Sequence, residues 1–256
     1  MDFSNILVSR DKGISKITIN RPKVSNSLNE ETLLELKQAL DAMKDSFETR
    51  VIIITGAGER AFSCGADIHA LSQEDVFEFE IFVRLIHETF SVIRTHPAPV
   101  IAAINGRALG AGLELVMSCD IAIAAENAQL GMPEVKIGLP SVIECALMPN
   151  LIGLMRTREL LLTGDPINAK EAYRIGLVNK VVPQYDLSMA AQRMAENLIS
   201  NNPRALFLQK ELINCWLNLP MEQAIEAGIK SAAMACASGV PRRAIDAFLA
   251  KQGKRK

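Results

Sequence analysis

Residues 101–125 read IAAINGRALGAGLELVMSCDIAIAA, and the fold of this chain turns on that stretch. Val100 to Ile104 is a short apolar run behind two prolines, Pro97 and Pro99, the pattern of a buried strand. Asn105-Gly106 is a turn signal, and Gly110-Ala111-Gly112 brings the backbone into a tight bend. Leu113, Leu115, Val116 and Met117 then suit a short helix, and Asp120 to Ala124 a second strand. A bend of small residues thus feeds a helix N-terminus, with Glu114 in the first turn. N–H groups at a helix start have no partner inside the helix and, with the positive end of the dipole behind them, favour an anion. Small residues let a ligand approach that backbone closely. An anion cradle beside a carboxylate suits the making of an enolate from a carbonyl compound. The same spacing also fits a packed strand–turn–helix in which Glu114 only complements the helix N-terminus.

Upstream, Ile6 to Val8 and Ile14 to Ile19 bracket Asp11-Lys12-Gly13, which predicts a hairpin. From Leu28 to Phe47 the apolar residues Leu33, Leu36, Leu40, Met43 and Phe47 fall at helical spacing, and Val51 to Ile54 reads as a buried strand. Strand, helix, strand implies a right-handed crossover and a parallel sheet. Gly56-Ala57-Gly58-Glu59-Arg60-Ala61 superficially matches a dinucleotide fingerprint, but a Rossmann loop opens directly into a helix. Here Phe62 to Ile68 reads as loop. Gln73 to Thr95 predicts a long helix with a core-facing stripe. Asn168 is a candidate cap for a helix through Arg174, and Leu177 to Val182 reads as a strand. Beyond Pro183 only helices are predicted, punctuated by Pro203, Pro220 and Pro241, with a boundary near residue 200.

The block Asn105 to Leu115, followed by Cys119-Asp120-Ile121, resembles a signature of the crotonase family, the enoyl-CoA hydratases and isomerases. So does Gly131-Met132-Pro133-Glu134-Val135-Lys136-Ile137-Gly138, whose glutamate lies twenty residues past Glu114. Matches extend from Asn20-Arg21-Pro22 to Val181-Val182-Pro183. The resemblance implies an α/β fold, a crotonase-like spiral of β-β-α units, with a C-terminal all-helical oligomerisation region. On that reading residues 1–200 form the acyl-CoA-binding body and 201–256 a helical region that assembles a homotrimer or homohexamer. The implied reaction is addition of water to the C2–C3 double bond of a 2-enoyl-CoA, with isomerisation or thioester hydrolysis as the family's alternatives. A non-catalytic acyl-CoA-binding protein is the reading from a different class.

The resemblance further implies roles. The backbone N–H groups of Ala66 and Ala111 would bind the thioester oxygen, and Glu114 and Glu134 would handle the protons. Ala111 stands where the family usually has glycine. Lys23, Val24, Cys64, Ala66, Asp67, Ile68, His69 and Ala111 would line the CoA and substrate site, His69 standing where family members often carry lysine. The helix N-terminus predicts that Glu114 ionises more easily, and the apolar neighbours of Glu134 predict a raised pKa there. In place of the family's I-P-G-x-G-G loop the chain has Leu139-Pro140-Ser141-Val142-Ile143-Glu144. Its S-x-x-E pattern predicts a capping box, with Ser141 as N-cap and Glu144 as its partner.

The 256 residues carry a formal net charge of −1, which argues against nucleic acid as a partner. No apolar run approaches the ~20 residues of a membrane helix, and the N-terminus shows no secretory h-region, so a soluble cytoplasmic protein is expected. Five scattered cysteines and three histidines show neither disulfide-framework nor metal-ligand spacing. No metal or separate cofactor is expected, coenzyme A being part of the substrate.

Overall fold

The structure, a computed structural model, describes residues 3–44, 48–68 and 75–253. The chain divides into two units, Met1–Ser200 and Asn201–Lys256. The first runs β1 (Ile6–Asp11), β2 (Ile14–Ile19), α1 (Glu30–Lys44), β3 (Val51–Gly56), β4 (Ala61–Ser63), α2 (Val76–Thr95), β5 (Val100–Ile104), β6 (Arg107–Leu109), α3 (Ala111–Ser118), β7 (Ile121–Ala125) and β8 (Gln129–Gly131). It continues with α4 (Met148–Ile152), α5 (Leu154–Thr163), β9 (Ile167–Asn168), α6 (Ala169–Arg174), β10 (Lys180–Val182) and α7 (Leu187–Ile199).

The β1–β2 hairpin closes where Lys12 and Gly13 both take positive φ, 46° and 84°, as a tight two-residue turn requires. β1 pairs antiparallel with β2, and β2, β3, β5, β7 and β10 then follow in parallel to make a six-stranded sheet. A smaller sheet has the order β4-β6-β8-β9. Three successive strand pairs explain both orders. In β3–β4, β5–β6 and β7–β8 the first strand joins the large sheet beside its predecessor, and the second joins the small one. The first two pairs are each followed by a helix, α2 and α3. This is the repeated strand–strand–helix unit that no repetition of residues in the sequence announces.

The centre of the large sheet is covered on both faces, so β3, β5 and β7 are apolar almost throughout rather than alternating. Ile52 and Ile54 of β3, with Val100, Ala102 and Ile104 of β5, pack in a core with α1, α2 and α3. Val51, Ile53, Ile101 and Ala103 point the other way and meet Leu187, Ala190, Ala191 and Ala195 of α7. Asp75 caps α2 by accepting from the N–H groups of Phe77 and Glu78, and Glu78 returns the bond, a complete capping box. Asn168 accepts from the Glu171 N–H at the start of α6.

The sequence expectations differ from the structure in places. The segment expected as loop from Phe62 contains β4, and the bend before Ala111 contains β6. Each has three residues and only its partners hold it in line. Helix α1 ends its described course at Lys44, and Phe47 lies outside the described residues. The second unit comprises α8 (Pro203–Trp216), α9 (Met221–Ala237) and α10 (Val240–Gly253). Among the described residues it holds no strand, and no helix of the chain is long and apolar enough to cross a membrane.

Candidate active site

The turn from β6 into α3 is built from glycines at which a Cβ would crowd its neighbours. Gly110 has φ 53° and ψ −129°, open to a residue without a Cβ. A Cβ there would lie 2.5 Å from Glu134 Oε1. A Cβ on Gly112 would run into the Ser63 carbonyl, and one on Gly65 would lie 2.7 Å from the Leu109 carbonyl and 3.1 Å from the Ala111 nitrogen. So the β4 loop, the start of α3 and the Glu134 carboxylate are held in van der Waals contact. Ala111 itself is the first residue of α3 and keeps negative φ, so its Cβ costs nothing.

Ala66 forms an isolated parallel bridge with Leu28. That bridge uses the Gly65 carbonyl, at 2.8 Å from the Leu28 nitrogen, and the Asp67 N–H, at 2.9 Å from the Leu28 carbonyl. Its own N–H is left over. Neither the Ala66 nor the Ala111 N–H meets an acceptor among the described residues. Two unspent donors thus stand side by side at the mouth of a helix.

Both line a cavity of about 700 Å³, as do Glu114, Glu134, Cys64 and Ile68. Its wall is mostly apolar, with Phe79, Phe82 and Val83 of α2 facing Leu139, Val142 and Ile143. Glu114 is buried in the first turn of α3, and its Oε1 accepts the Cys145 N–H at 3.1 Å. Glu134 stands on a one-turn 3₁₀ helix, Pro133–Ile137, and its Oε2 accepts from the Ser141 hydroxyl at 2.9 Å.

Residues 9–254 match the enoyl-CoA hydratase/isomerase family. The chain is 38% identical over 253 residues to a crotonyl-CoA hydratase from Syntrophomonas wolfei, covering 98% of this chain and 97% of that one. It is 38% identical over 226 residues to a short-chain-enoyl-CoA hydratase from Clostridium acetobutylicum, covering 88% and 87%. The crystal structure of an enoyl-CoA hydratase from Bacillus anthracis superposes with a TM-score of 0.93 at 36% identity, covering 97% of each chain. The chain belongs to the enoyl-CoA hydratase/isomerase family.

Not every candidate residue of this family member reaches the cavity wall. Cys64, Ala66, Ile68, Ala111, Glu114 and Glu134 do. Asp67 is turned aside: its Oδ2 takes Arg21 at 3.0 Å and the Ser27 hydroxyl at 3.2 Å. Lys23 and Val24 lie on an exposed 3₁₀ turn outside the cavity lining, in a segment tied to the site where the Ser25 carbonyl accepts the Cys64 N–H at 3.1 Å. His69 lies outside the described residues.

The charge states reverse one expectation. Burial pushes the Glu114 carboxyl up to about 8, with the charges of Glu134 and Glu144 adding to the rise and the Cys145 N–H opposing it. Burial also raises Glu134, against its hydrogen bonds from the backbone and Ser141. The helix N-terminus was expected to keep Glu114 ionised. Its dipole contributes about 0.3–1 kcal/mol at an exposed site, too little against the loss of solvent around a group only 3% exposed.

The expected capping box at Ser141 is also absent. The helical turn begins after Val142 without a side-chain cap. Ser141 is spent on Glu134. Ile143 takes φ 56°, a left-handed conformation that is a strained outlier for a β-branched residue. Glu144 is buried, 3% exposed, with Oε1 2.8 Å from His87 Nδ1 and 3.3 Å from Arg94. His87 and Arg94 carry no signal in the sequence, because their partner Glu144 lies 57 and 50 residues away, and the local signal at Ser141 points to a cap rather than to Glu134, seven residues back.

Proposed function

We propose that the protein is an enoyl-CoA hydratase that adds water across the C2–C3 double bond of a 2-enoyl-CoA, giving a 3-hydroxyacyl-CoA. The observation that carries this reading is the pair of carboxylates, Glu114 and Glu134, on one cavity with two unspent N–H donors. The Ala66 and Ala111 N–H groups would take the thioester oxygen as it gains charge in the enolate. Removing one such donor typically costs about 10²–10³ in rate. The substrate carbon chain would lie against the apolar wall, with C2 and C3 between the glutamates.

Water held by the two carboxyl groups then supplies hydroxyl to C3. One carboxylate takes the proton from that water while the other, protonated, delivers a proton to C2. The pair needs one proton between them at the start. Burial keeps that proton on Glu114 in the free protein at neutral pH. Positioned acids and bases of this kind contribute about 10²–10⁴-fold. Coenzyme A would arrive and leave as part of the substrate, so no separate cofactor enters. The Cys64–Ile68 strand end and the neighbouring turn at Lys23 and Val24 are where its pantetheine arm would pass.

Assembly as a trimer, or two trimers paired, belongs to the same proposal. The second unit leaves large apolar side chains exposed, among them Trp216, Met221, Ile225, Ile229 and Met234. The cheapest test of the function is the loss of the conjugated thioester absorbance when crotonyl-CoA is mixed with the protein. Rapid loss, with 3-hydroxybutyryl-CoA as product, is expected. Unchanged crotonyl-CoA, or its loss without any 3-hydroxybutyryl-CoA, in the presence of folded protein would reject it.

A further inference from the structure

The acyl wall of the cavity contains one pair of polar groups that the hydration chemistry does not use. His87 lines the cavity from α2, alongside Phe79, Phe82, Val83 and Ile86 and the ion-paired Glu80 and Arg84. Its Nδ1 is fixed on the Glu144 carboxylate at 2.8 Å. Glu144 lies behind that wall, its side chain 2% exposed against 50% for His87.

Folding alone gives no reason for this arrangement. A buried carboxylate is expensive even when paired, and leaving one of its oxygens unbonded adds to the cost. Glu144 Oε2 is buried without a hydrogen-bond partner among the described residues. The adjoining Ile143 holds φ 56°, a strained conformation for a β-branched residue. An apolar residue at 144 would relieve the first cost. Unfavourable geometry of two kinds, meeting at one point of a binding cavity, marks a group placed there for a ligand.

The chemistry of the pair says which ligand. An ionised carboxylate only accepts, so Nδ1 carries the hydrogen and Nε2 is the ring atom left for a ligand group that can both donate and accept. Nε2 has no partner among the described residues. Its complement is a hydroxyl group. A ligand carboxylate is disfavoured, because the Glu144 carboxylate lies directly behind the ring and Glu134 shares the cavity. The cations on the cavity rim are committed elsewhere, Arg84 to Glu80 and Lys136 to Asp165.

We infer that His87, held by Glu144, is a specificity-determining residue that selects 2-enoyl-CoA substrates whose acyl tail carries a hydroxyl group. This rests on the hydratase reading, and the test separates the two. Initial rates of hydration are measured for 2-hexenoyl-CoA and for its 4-, 5- and 6-hydroxy derivatives, with 5-carboxy-2-pentenoyl-CoA as the charged control. At least one hydroxy derivative is expected to exceed 2-hexenoyl-CoA by tenfold or more in kcat/KM, mainly through KM, because a site that hydrogen-bonds a substrate group discriminates against the analogue lacking it. In His87→Leu that ratio collapses toward one. In His87→Gln, whose amide oxygen still accepts, part of it survives. Hydration of every chain at similar kcat/KM, preference for the carboxylate, or a ratio unchanged in His87→Leu would overturn the inference and leave the hydratase reading intact. Failure to hydrate any of these substrates, crotonyl-CoA included, would overturn the hydratase reading itself.

Discussion

Glu114→Gln separates the energetic role of this side chain from its chemical one. The unfolded carboxyl titrates near 4.5 and the folded one near 8, chiefly because it is buried. The folded state therefore keeps a proton that the unfolded chain has lost. Below the unfolded pKa both states are protonated and nothing changes. As pH rises from about 4.5 to about 8 the native protein loses stability, and above 8 both states are ionised and the loss is complete. At about 1.4 kcal/mol per pH unit, that span amounts to about 5 kcal/mol at most. Glutamine is the neutral isostere and does not titrate, so the variant escapes the loss. Urea unfolding at intervals from pH 5 to pH 9 measures it. The variant is expected to match the wild type near pH 5 and to become the more stable of the two by several kcal/mol at pH 8–9. For a chain of this size each kcal/mol also raises Tm by about 2–4 °C. A stability difference that stays flat with pH, or one that turns against glutamine at high pH, would refute the claim that Glu114 is held protonated by burial.

Gly110→Ala places a Cβ 2.5 Å from Glu134 Oε1 at φ 53°, so the carboxylate must move. Turnover of crotonyl-CoA is expected to fall by about 10²-fold, since a displacement of ~1 Å in a reacting group costs that much. Asp67→Ala removes the carboxylate beside the largely buried Arg21 while its Nη1 keeps the Ser27 carbonyl at 2.7 Å, and unfolding free energy should drop by about 1–3 kcal/mol. Light scattering at micromolar concentration should return the mass of a trimer or hexamer, and a monomer mass would contradict the proposed assembly.

How much of this was legible from residues alone depended on how far each feature reaches along the chain. The stretch from Val100 to Ala125 was read in the right order as strand, bend, helix and strand, because its apolar periods and glycines act locally. Strands β4 and β6 were hidden, since three residues carry no period, and it is pairing with each other and with β8 that makes them strands. The capping box failed for a related reason. S-x-x-E is a local rule, while Ser141 and Glu144 answer to Glu134, His87 and Arg94. The charge state of Glu114 was misjudged because a helix start is visible in sequence and burial is not. The carboxylate pair was recognised through the family resemblance, and the structure adds that both line one cavity.

On the mechanism proposed here, two carboxylates share the work of hydration. Steady-state kinetics of Glu114→Gln and Glu134→Gln with crotonyl-CoA test it most directly. Each variant is expected to lose about 10²–10⁴ in kcat with KM little changed, and the double variant to lose less than the product of the two, because the pair acts on one water. If Glu134→Gln hydrates at the wild-type rate while Glu114→Gln does not, a single base does the chemistry and the two-carboxylate mechanism is wrong.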